Sequence, residues 1–494
     1  MSDISTLPGA AASTLQLPGG TAKISRPVGR LVIGALLAGL AVLAIFAGGD
    51  GLTYPMRVAL SVFAATLIAW TVMDLPETPV ALAGALALVF AGAVEQRALF
   101  DALGSGIVAL MLAAFVIGAV LKETGLANRL ALRMLAPFRT VSGIFWGITG
   151  AIFLTAFFIP STSARAAILM PVFLALSRTI ARPRVTRALA LLFPSVILLS
   201  AAASLTGAGA HLVAADAIRR ISGETLGFAA WAMLAAPFAL LCSLAAGGLI
   251  LGTFLGADDR RARVAALDAA TQPLSSRDRV VAGIVLAVVG LWATAGLHGI
   301  DLALVALAGA LVAASKSVSG VSFKAALKGV EWNLLLFLAA TLVIGEALLD
   351  TGAARLIVDR LLLSFAGAGT PPAWLVVTLT ATASALAHIV INSRTARATV
   401  LIPALALPLA GFGIDPASLI LLVTLGSGFC QTLMVSAKPV TLFGGMEPPA
   451  FTSGDLLRLS AMLLPLFVAL LCLFALLVWP SFGLFPTPAE YRNL

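Results

Sequence analysis

Two short polar stretches carry the groups best suited to chemistry. Residues 157–171 read FFIPSTSARAAILMP and residues 391–403 read INSRTARATVLIP. Ser161, Ser163, Ala164, Arg165 and Pro171 thus recur as Ser393, Thr395, Ala396, Arg397 and Pro403 at a constant spacing of 232. Each stretch sets hydroxyls and an arginine inside apolar sequence, where polar groups are costly and mark a task. Pro160 followed by Ser161-Thr162-Ser163 suits a helix start, because a Ser or Thr at the N-cap accepts a bond from an orphan backbone N–H. Asn392, Ser393 and Thr395 supply the same start in the second copy. A helix N-terminus carries free N–H groups and the positive end of its dipole, which together favour an anion. Two such ends meeting in mid-membrane, flanked by Arg165, Arg394 and Arg397, make an anion site. Arg394 beside the hydroxyls offers a bidentate grip on a carboxylate or sulfate.

A second interruption follows each stretch. Residues 204–213, SLTGAGAHLV, put glycines and small residues inside an apolar run, and residues 434–444, MVSAKPVTLFG, put Lys438 and Pro439 inside another. Neither suits regular helix. Irregular backbone at membrane depth lines cavities, and its free carbonyls coordinate cations. His211 and Lys438 add one ionisable group to each break.

The elements that hold these groups are membrane helices. Of the 494 residues 60% are hydrophobic and 11% charged, against roughly 25% charged in soluble domains. Lys and Arg fall mostly in short loops, so the net charge of +9 reads as orientation signals and not as a nucleic-acid surface. The richest basic loops share one side with the N-terminus, which places that terminus in the cytoplasm and the chain, as a multi-pass protein, in the cytoplasmic membrane. Cys242, Cys430 and Cys472 lie in apolar segments without metal-ligand spacing and read as small hydrophobic residues.

A spanning helix needs about 20 apolar residues. The chain supplies eleven such runs, among them 78–95, 300–315 and 418–435, and two longer stretches, 141–177 and 373–411, that read as re-entrant hairpins carrying the polar motifs. A hairpin and a pair of full spans return to the same side, so charge bias does not separate them. IGAVLKETG at 117–125 matches IGEALLDTG at 344–352, 227 residues later. With an odd number of spans between the copies, the duplication is an inverted repeat, the arrangement that builds midplane sites in secondary transporters. The expected organisation is a disordered cytoplasmic tail (1–29), an extra transmembrane helix (30–54), a first repeat (55–255), a cytoplasmic linker (256–279), a second repeat (280–480) and a C-terminal tail (481–494).

Hydroxyl-rich hairpin tips, broken spans and their inverted repetition resemble the divalent anion/sodium symporter family of dicarboxylate, citrate and sulfate carriers, over nearly the whole chain from about residue 55. In that family the tips usually read Ser-Asn-Thr and contact substrate carboxylates, while backbone of tip and broken span holds sodium. By position the resemblance implicates Ser161, Thr162 and Ser163 with Thr206, Gly207, Gly209 and His211, and likewise Ser393, Arg394 and Thr395 with Ser436, Ala437 and Lys438. It implies an elevator in which a transport domain slides past a scaffold that forms a homodimer. Thr162 and Arg394 replace the usual asparagines of the tips, His211 the usual asparagine of the first broken span, and Lys438 a neutral residue of the second; a fixed ammonium takes the electrostatic role of sodium. The expectation is an all-α secondary transporter of small di- or polyvalent anions with altered sodium coupling or a proton as coupling ion, and no other cofactor. Two other readings stand beside it. A carrier of another ion, such as arsenite export or cation antiport, is disfavoured for the cation case by basic central charges. An intramembrane enzyme lacks a carboxylate placed to orient His211 or His388, and an HExxH.

Overall fold

The computed structural model describes residues 28–48, 51–223, 225–265, 273–365, 371–447 and 449–483. The two expected tails fall almost wholly outside the described residues, as does the middle of the linker. The first half runs α1 (Val28–Ala47), α2 (Tyr54–Thr71), α3 (Glu77–Phe90), α4 (Gln96–Leu103), α5 (Gly106–Glu123), α6 (Leu126–Leu135), α7 (Val141–Thr155), α8 (Thr162–Ile180), α9 (Pro183–Ser200), α10 (Gly209–Ser222) and α11 (Phe228–Phe254). After the short α12 (Ala257–Arg261) come α13 (Ser276–Ala293), α14 (Ala295–His298), α15 (Leu302–Ala313), α16 (Phe323–Leu327), α17 (Trp332–Asp350), α18 (Ala353–Phe365) and α19 (Ala373–Leu386). The chain then forms α20 (Arg394–Leu401), α21 (Leu407–Ala410), α22 (Pro416–Gly426), α23 (Lys438–Gly444) and α24 (Ser453–Leu473). Among the described residues there is no strand.

Local chemistry sets the ends of these helices. Ser105, Thr140 and Asp415 cap α5, α7 and α22 with side-chain oxygens, and Ser275 and Thr452 form capping boxes with Asp278 and Asp455. The repeated Thr-Gly of IGAVLKETG and IGEALLDTG ends α5 and α17: Gly125 and Gly352 adopt φ of 66° and 78°, the left-handed conformation that glycine takes without a Cβ penalty. In the second hairpin, Pro403 and Pro408 withhold amide protons, and a π-helical turn at 402–406 joins α20 to α21 as one bent arm.

The inverted repeat is visible in who packs on whom. α3 lies along α17 as α15 lies along α5, and α23 packs on α8 and α9 as α10 packs on α20 and α22. α2–α5 and α13–α17 form one group, with the apolar faces of α2, α3 and α17 closing on Trp70, Leu88, Phe337 and Ile344. The hairpins, the broken spans, α11 and α24 form the other. Hairpin 2 docks onto α17 through Ile391, Ala396 and Val400.

Among the described residues, eight helices are long and apolar enough to cross a membrane. The expected spans at 78–95, 300–315 and 418–435 instead form helices of 14, 12 and 11 residues. The first two begin at cavities, and the third stops where a broken span opens. α1 leaves Ile33, Leu36, Leu40 and Leu43 exposed, an apolar face suited to lipid.

Candidate functional site

Both hairpin tips and both broken spans meet around a single cavity of about 310 Å³. Two tips that meet at one cavity are what a pair of re-entrant hairpins entering from opposite faces produces; the turns of full spans would then lie on opposite surfaces. Ser161 Oγ accepts from the Ala164 N–H at 3.2 Å, and Ser393 Oγ accepts from the Ala396 N–H at 3.2 Å. Each serine is therefore the N-cap of the second hairpin arm, and α8 and α20 aim their N-termini into one space. Thr162, Ser163, Asn392 and Thr395 line the same wall.

The repeated arginines have another task than the one their sequence context suggests. Arg165 is fully buried and lies outside the cavity lining. It donates to Thr155 Oγ1 at 3.0 Å, Ile152 O at 2.6 Å, Ile197 O at 2.9 Å and Ser200 Oγ at 2.6 Å. Arg397, also fully buried, reaches the cavity wall, yet its donors go to Ser427 O at 2.8 and 3.0 Å, Ile391 O at 2.8 Å and Asn392 O at 3.1 Å. Both staple a hairpin to the broken span beside it. Ser200 and Ser427, 227 residues apart, mark the equivalent anchor points.

Arg394 differs. It occupies the position where the first copy has Thr162, and its guanidinium lies over Gly428, where an added Cβ would approach Nη2 to 2.5 Å. One long bond, 3.4 Å to Leu198 O, is its hydrogen bond to protein. Nε and Nη2 are buried and have no partner. A half-buried guanidinium with two unpartnered donors thus lines a cavity shared with two helix N-termini.

The broken spans divide between wall and support. At 201–207 the chain forms two 3₁₀ turns, and a Cβ on Gly207 would stand 2.1 Å from Ala201 O, which excludes any side chain. Gly209 lines the cavity, with space for a Cβ limited by Thr395 Oγ1 at 3.1 Å, so break 1 closes directly on hairpin 2. Thr206 is buried behind and shares a hydrogen bond with Ser204. His211 is also behind: Nδ1 bonds Ser204 O at 2.8 Å and the ring stacks on Trp231. In break 2, Ser436, Ala437 and Lys438 line the cavity, with Ser436 Oγ accepting from the Leu433 N–H and the Lys438 side chain exposed. Gln431, buried in this loop, leaves both amide atoms unpartnered. His388 links hairpin 2 to break 2 through Thr432, and Glu346 pairs with Arg220 at 3.2 Å.

Sequence reasoning missed the contribution of the neighbouring group. Glu77 and Thr78 from the start of α3, and Glu331, Asn333 and Phe337 from the start of α17, complete the cavity. Ser161 Oγ donates to Glu331 Oε1, and Glu77 stands beside Ser393, in electrostatic range of Lys438 and Arg397. An acidic residue at a helix start complements the dipole in countless helices, so sequence offered no sign that these two reach a tip.

Inverted halves, two hairpins and two broken spans around one cavity define the fold class as that of a helical membrane transporter. The chain belongs to the citrate transporter family, whose model matches residues 65–426 and, in a second match, residues 290–489. It is 25% identical over 305 residues to a membrane protein of Cupriavidus necator, covering 59% of each chain. It is 26% identical over 309 residues to the chloroplastic dicarboxylate transporter 1 of Arabidopsis thaliana, covering 59% of this chain and 54% of that one. The chain thus spans a little over half the length of the curated relatives it matches. Among solved structures it shares its fold with the YdaH transporter of Alcanivorax borkumensis, at a TM-score of 0.55 and 18% identity over 88% of this chain and 100% of that one. MtrF of Neisseria gonorrhoeae, described as an antimetabolite efflux pump, matches at a TM-score of 0.55 and 12% identity over 87% and 97%.

Proposed function

We propose that this protein is a secondary carrier of small di- or tricarboxylates, with sulfate as a further substrate of the same charge, and that it works in the manner of the divalent anion/sodium symporters. The carrying observation is Arg394: a half-buried guanidinium with two unpartnered donors in a cavity shared by two hairpin N-termini. The family match to citrate carriers and the relatives named as dicarboxylate transporters support this substrate class. A volume of about 310 Å³ suits a ligand of that size.

An elevator accounts for the level of the tips. They meet the beginnings of α3 and α17, not their middles, as they do when the hairpin group has moved toward the face from which hairpin 1 enters. That face is cytoplasmic in the proposed orientation, and the α2–α5 and α13–α17 group is the scaffold through which the carrier dimerises. Lys438 directs its charge toward the crevice, so the proposed change in sodium coupling rests on its field across break 2 and on the Gln431 amide. The deciding experiment is uptake of labelled citrate, malate and sulfate into proteoliposomes, with and without a sodium or proton gradient. Saturable, substrate-dependent uptake is expected. Absence of uptake or exchange for every anion refutes the reading, and uptake requiring more than one sodium ion per turnover refutes the altered coupling.

A further inference from the structure

We propose that Glu331 and Glu77 are internal carboxylates that hold the two hairpin tips in the substrate-free carrier and have to be displaced by the anionic groups of the substrate. The inference rests on the reading of this cavity as an anion site, and it assigns the residues that decide which anions enter. A serine hydroxyl has one proton to give. Ser161 accepts from the Ala164 N–H and donates to Glu331 Oε1, so a ligand oxygen at this tip has to compete with Glu331 for that proton. Glu77 stands beside Ser393, close enough for the Ser393 side chain to act on its carboxylate, and so attends the second tip. The two carboxylates come from different helices, α17 and α3, and each attends a different tip.

The arrangement is one-sided. A larger cavity of about 530 Å³ on the opposite face is built from equivalent positions: Ile107, Leu110 and Leu212 line it as Leu334, Phe337 and Pro439 line the first. At the spacing of 227 the residue equivalent to Glu331 is Gly104, and the counterpart of Glu77, the first residue of α3, is Leu302, the first residue of α15. The other cavity has acidic residues of its own: Asp216 is paired with Arg219 and Arg220, Glu346 with Arg220, Asp301 caps α15 by accepting from the Ala303 N–H, and Asp101 lies on α4; no tip serine lines it. The tip-directed carboxylates belong to this side alone.

Two consequences follow from the electrostatics. A dianion replaces both internal carboxylates, whereas a monoanion replaces one and is repelled by the other, so the pair selects against monoanions. Until it is displaced, Glu331 ties hairpin 1 to α17, so the empty carrier is held in place and exchange is favoured over net transport.

The test uses the full chain, purified and reconstituted, with E331Q, E77Q and the double variant. Glutamine keeps an acceptor for the serine hydroxyl and removes the charge. Binding is read by thermal stabilisation with succinate and with butyrate, a dianion and a monoanion of the same carbon number. Each single variant is expected to bind succinate more tightly, and to gain about tenfold or more for butyrate, narrowing the discrimination. E331Q proteoliposomes are expected to release preloaded succinate into substrate-free medium faster than wild type. Weaker succinate binding in both variants overturns the proposal, because the carboxylates then act as ligands. Unchanged binding in variants of a responsive wild type overturns it alone. A wild type that responds to neither succinate, citrate nor sulfate overturns the anion-site reading and this proposal with it.

Discussion

Replacing Arg165 and Arg394 by alanine separates a staple from a binding group. Arg165 makes four hydrogen bonds of 2.6–3.0 Å in a fully buried setting. When it is removed, Ile152 O keeps the Thr155 hydroxyl and Ser200 Oγ keeps Val196 O. Ile197 O lies in the last turn of α9, where carbonyls lack a helical donor, and is left unsatisfied. One orphaned buried carbonyl costs about 1–3 kcal/mol, and the emptied volume of a long side chain adds about 2 kcal/mol. The sum of about 4 kcal/mol exceeds the effect of most substitutions. Arg394 has one bond of 3.4 Å and two unpartnered nitrogens, so Arg394→Ala is expected to leave the ligand-free protein as stable as wild type, or more so by about 1 kcal/mol, as a buried charge is relieved. What it loses is the response to ligand, about 2.7 kcal/mol at a hundredfold excess over Kd. Thermal unfolding of the detergent-purified variants, with and without citrate, reads both quantities. Arg394→Ala destabilising the ligand-free protein as much as Arg165→Ala would show that Arg394 is a third staple. Arg165→Ala with normal stability but no ligand response would reverse the two assignments.

Three further outcomes follow from the geometry. Gly428→Ala puts a Cβ 2.5 Å from Arg394 Nη2, the movable end of a side chain, and 2.9 Å from Leu425 O, whereas Gly207→Ala puts one 2.1 Å from the Ala201 carbonyl. The first is expected to weaken citrate binding with a smaller loss of stability than the second, which lowers the yield of folded protein; equal stability of the two variants refutes the distinction. Asp278, in the linker at the first turn of α13, bonds Arg129 at 2.5 Å and caps its helix with Ser275. Burial alone would raise the pKa of its carboxyl, but the bonds from Ser275 and the Arg129 guanidinium outweigh it and hold it below the ordinary value. A depressed carboxylate stabilises above its unfolded pKa and loses that contribution as pH falls through the folded one, so the melting gap to Asp278→Asn, about 1 kcal/mol at neutral pH, is expected to close below about pH 4; a gap that persists there refutes the linkage. Cysteines at Ser161 and Glu331, with Cys242, Cys430 and Cys472 replaced, are expected to cross-link in the ligand-free state, and the pair equivalent by inversion, at Ser393 and Gly104, only when the hairpins have crossed. Simultaneous cross-linking of both pairs in one molecule would contradict the elevator.

Repetition made the fold legible. The spacing of 232 between the hairpin motifs and of 227 between the Thr-Gly helix ends identified the inverted halves, and Gly125 and Gly352 show why the latter recur. The site was legible at its tips and obscure around them. Ser161 and Ser393 cap helices because their chemistry leaves few alternatives. The aim of an arginine four residues later depends on the packing of the first turn, and residue type does not encode it. Ser200 and Ser427, at the repeat spacing, were the available sign that Arg165 and Arg397 each have a polar anchor nearby. Lys438 stands at the break as the sequence places it, but the exposure of its side chain is decided by how α23 packs on α8 and α9.

The two halves are built on one plan and the structure departs from it in one direction. α17 has 19 residues, or about 28 Å, and a tip at mid-height would stand about 14 Å from either end. Ser161 instead bonds Glu331, the residue that precedes α17, and Ser393 lies beside Glu77, the first residue of α3. One cavity accordingly contains both tips, and its counterpart on the far face contains neither. Exchanging the roles of the halves gives the opposite arrangement with the same helices, which is what alternating access requires of an inverted repeat. The lining residues are not exchanged with them. Glu331 and Glu77 face a tip in this arrangement, while in the proposed elevator Gly104 and Leu302 would face it in the other, so the two end states of the empty carrier would differ in energy by the contacts of these residues. A substrate that displaced the carboxylates would remove that difference, and binding at the tips would then be the condition for movement.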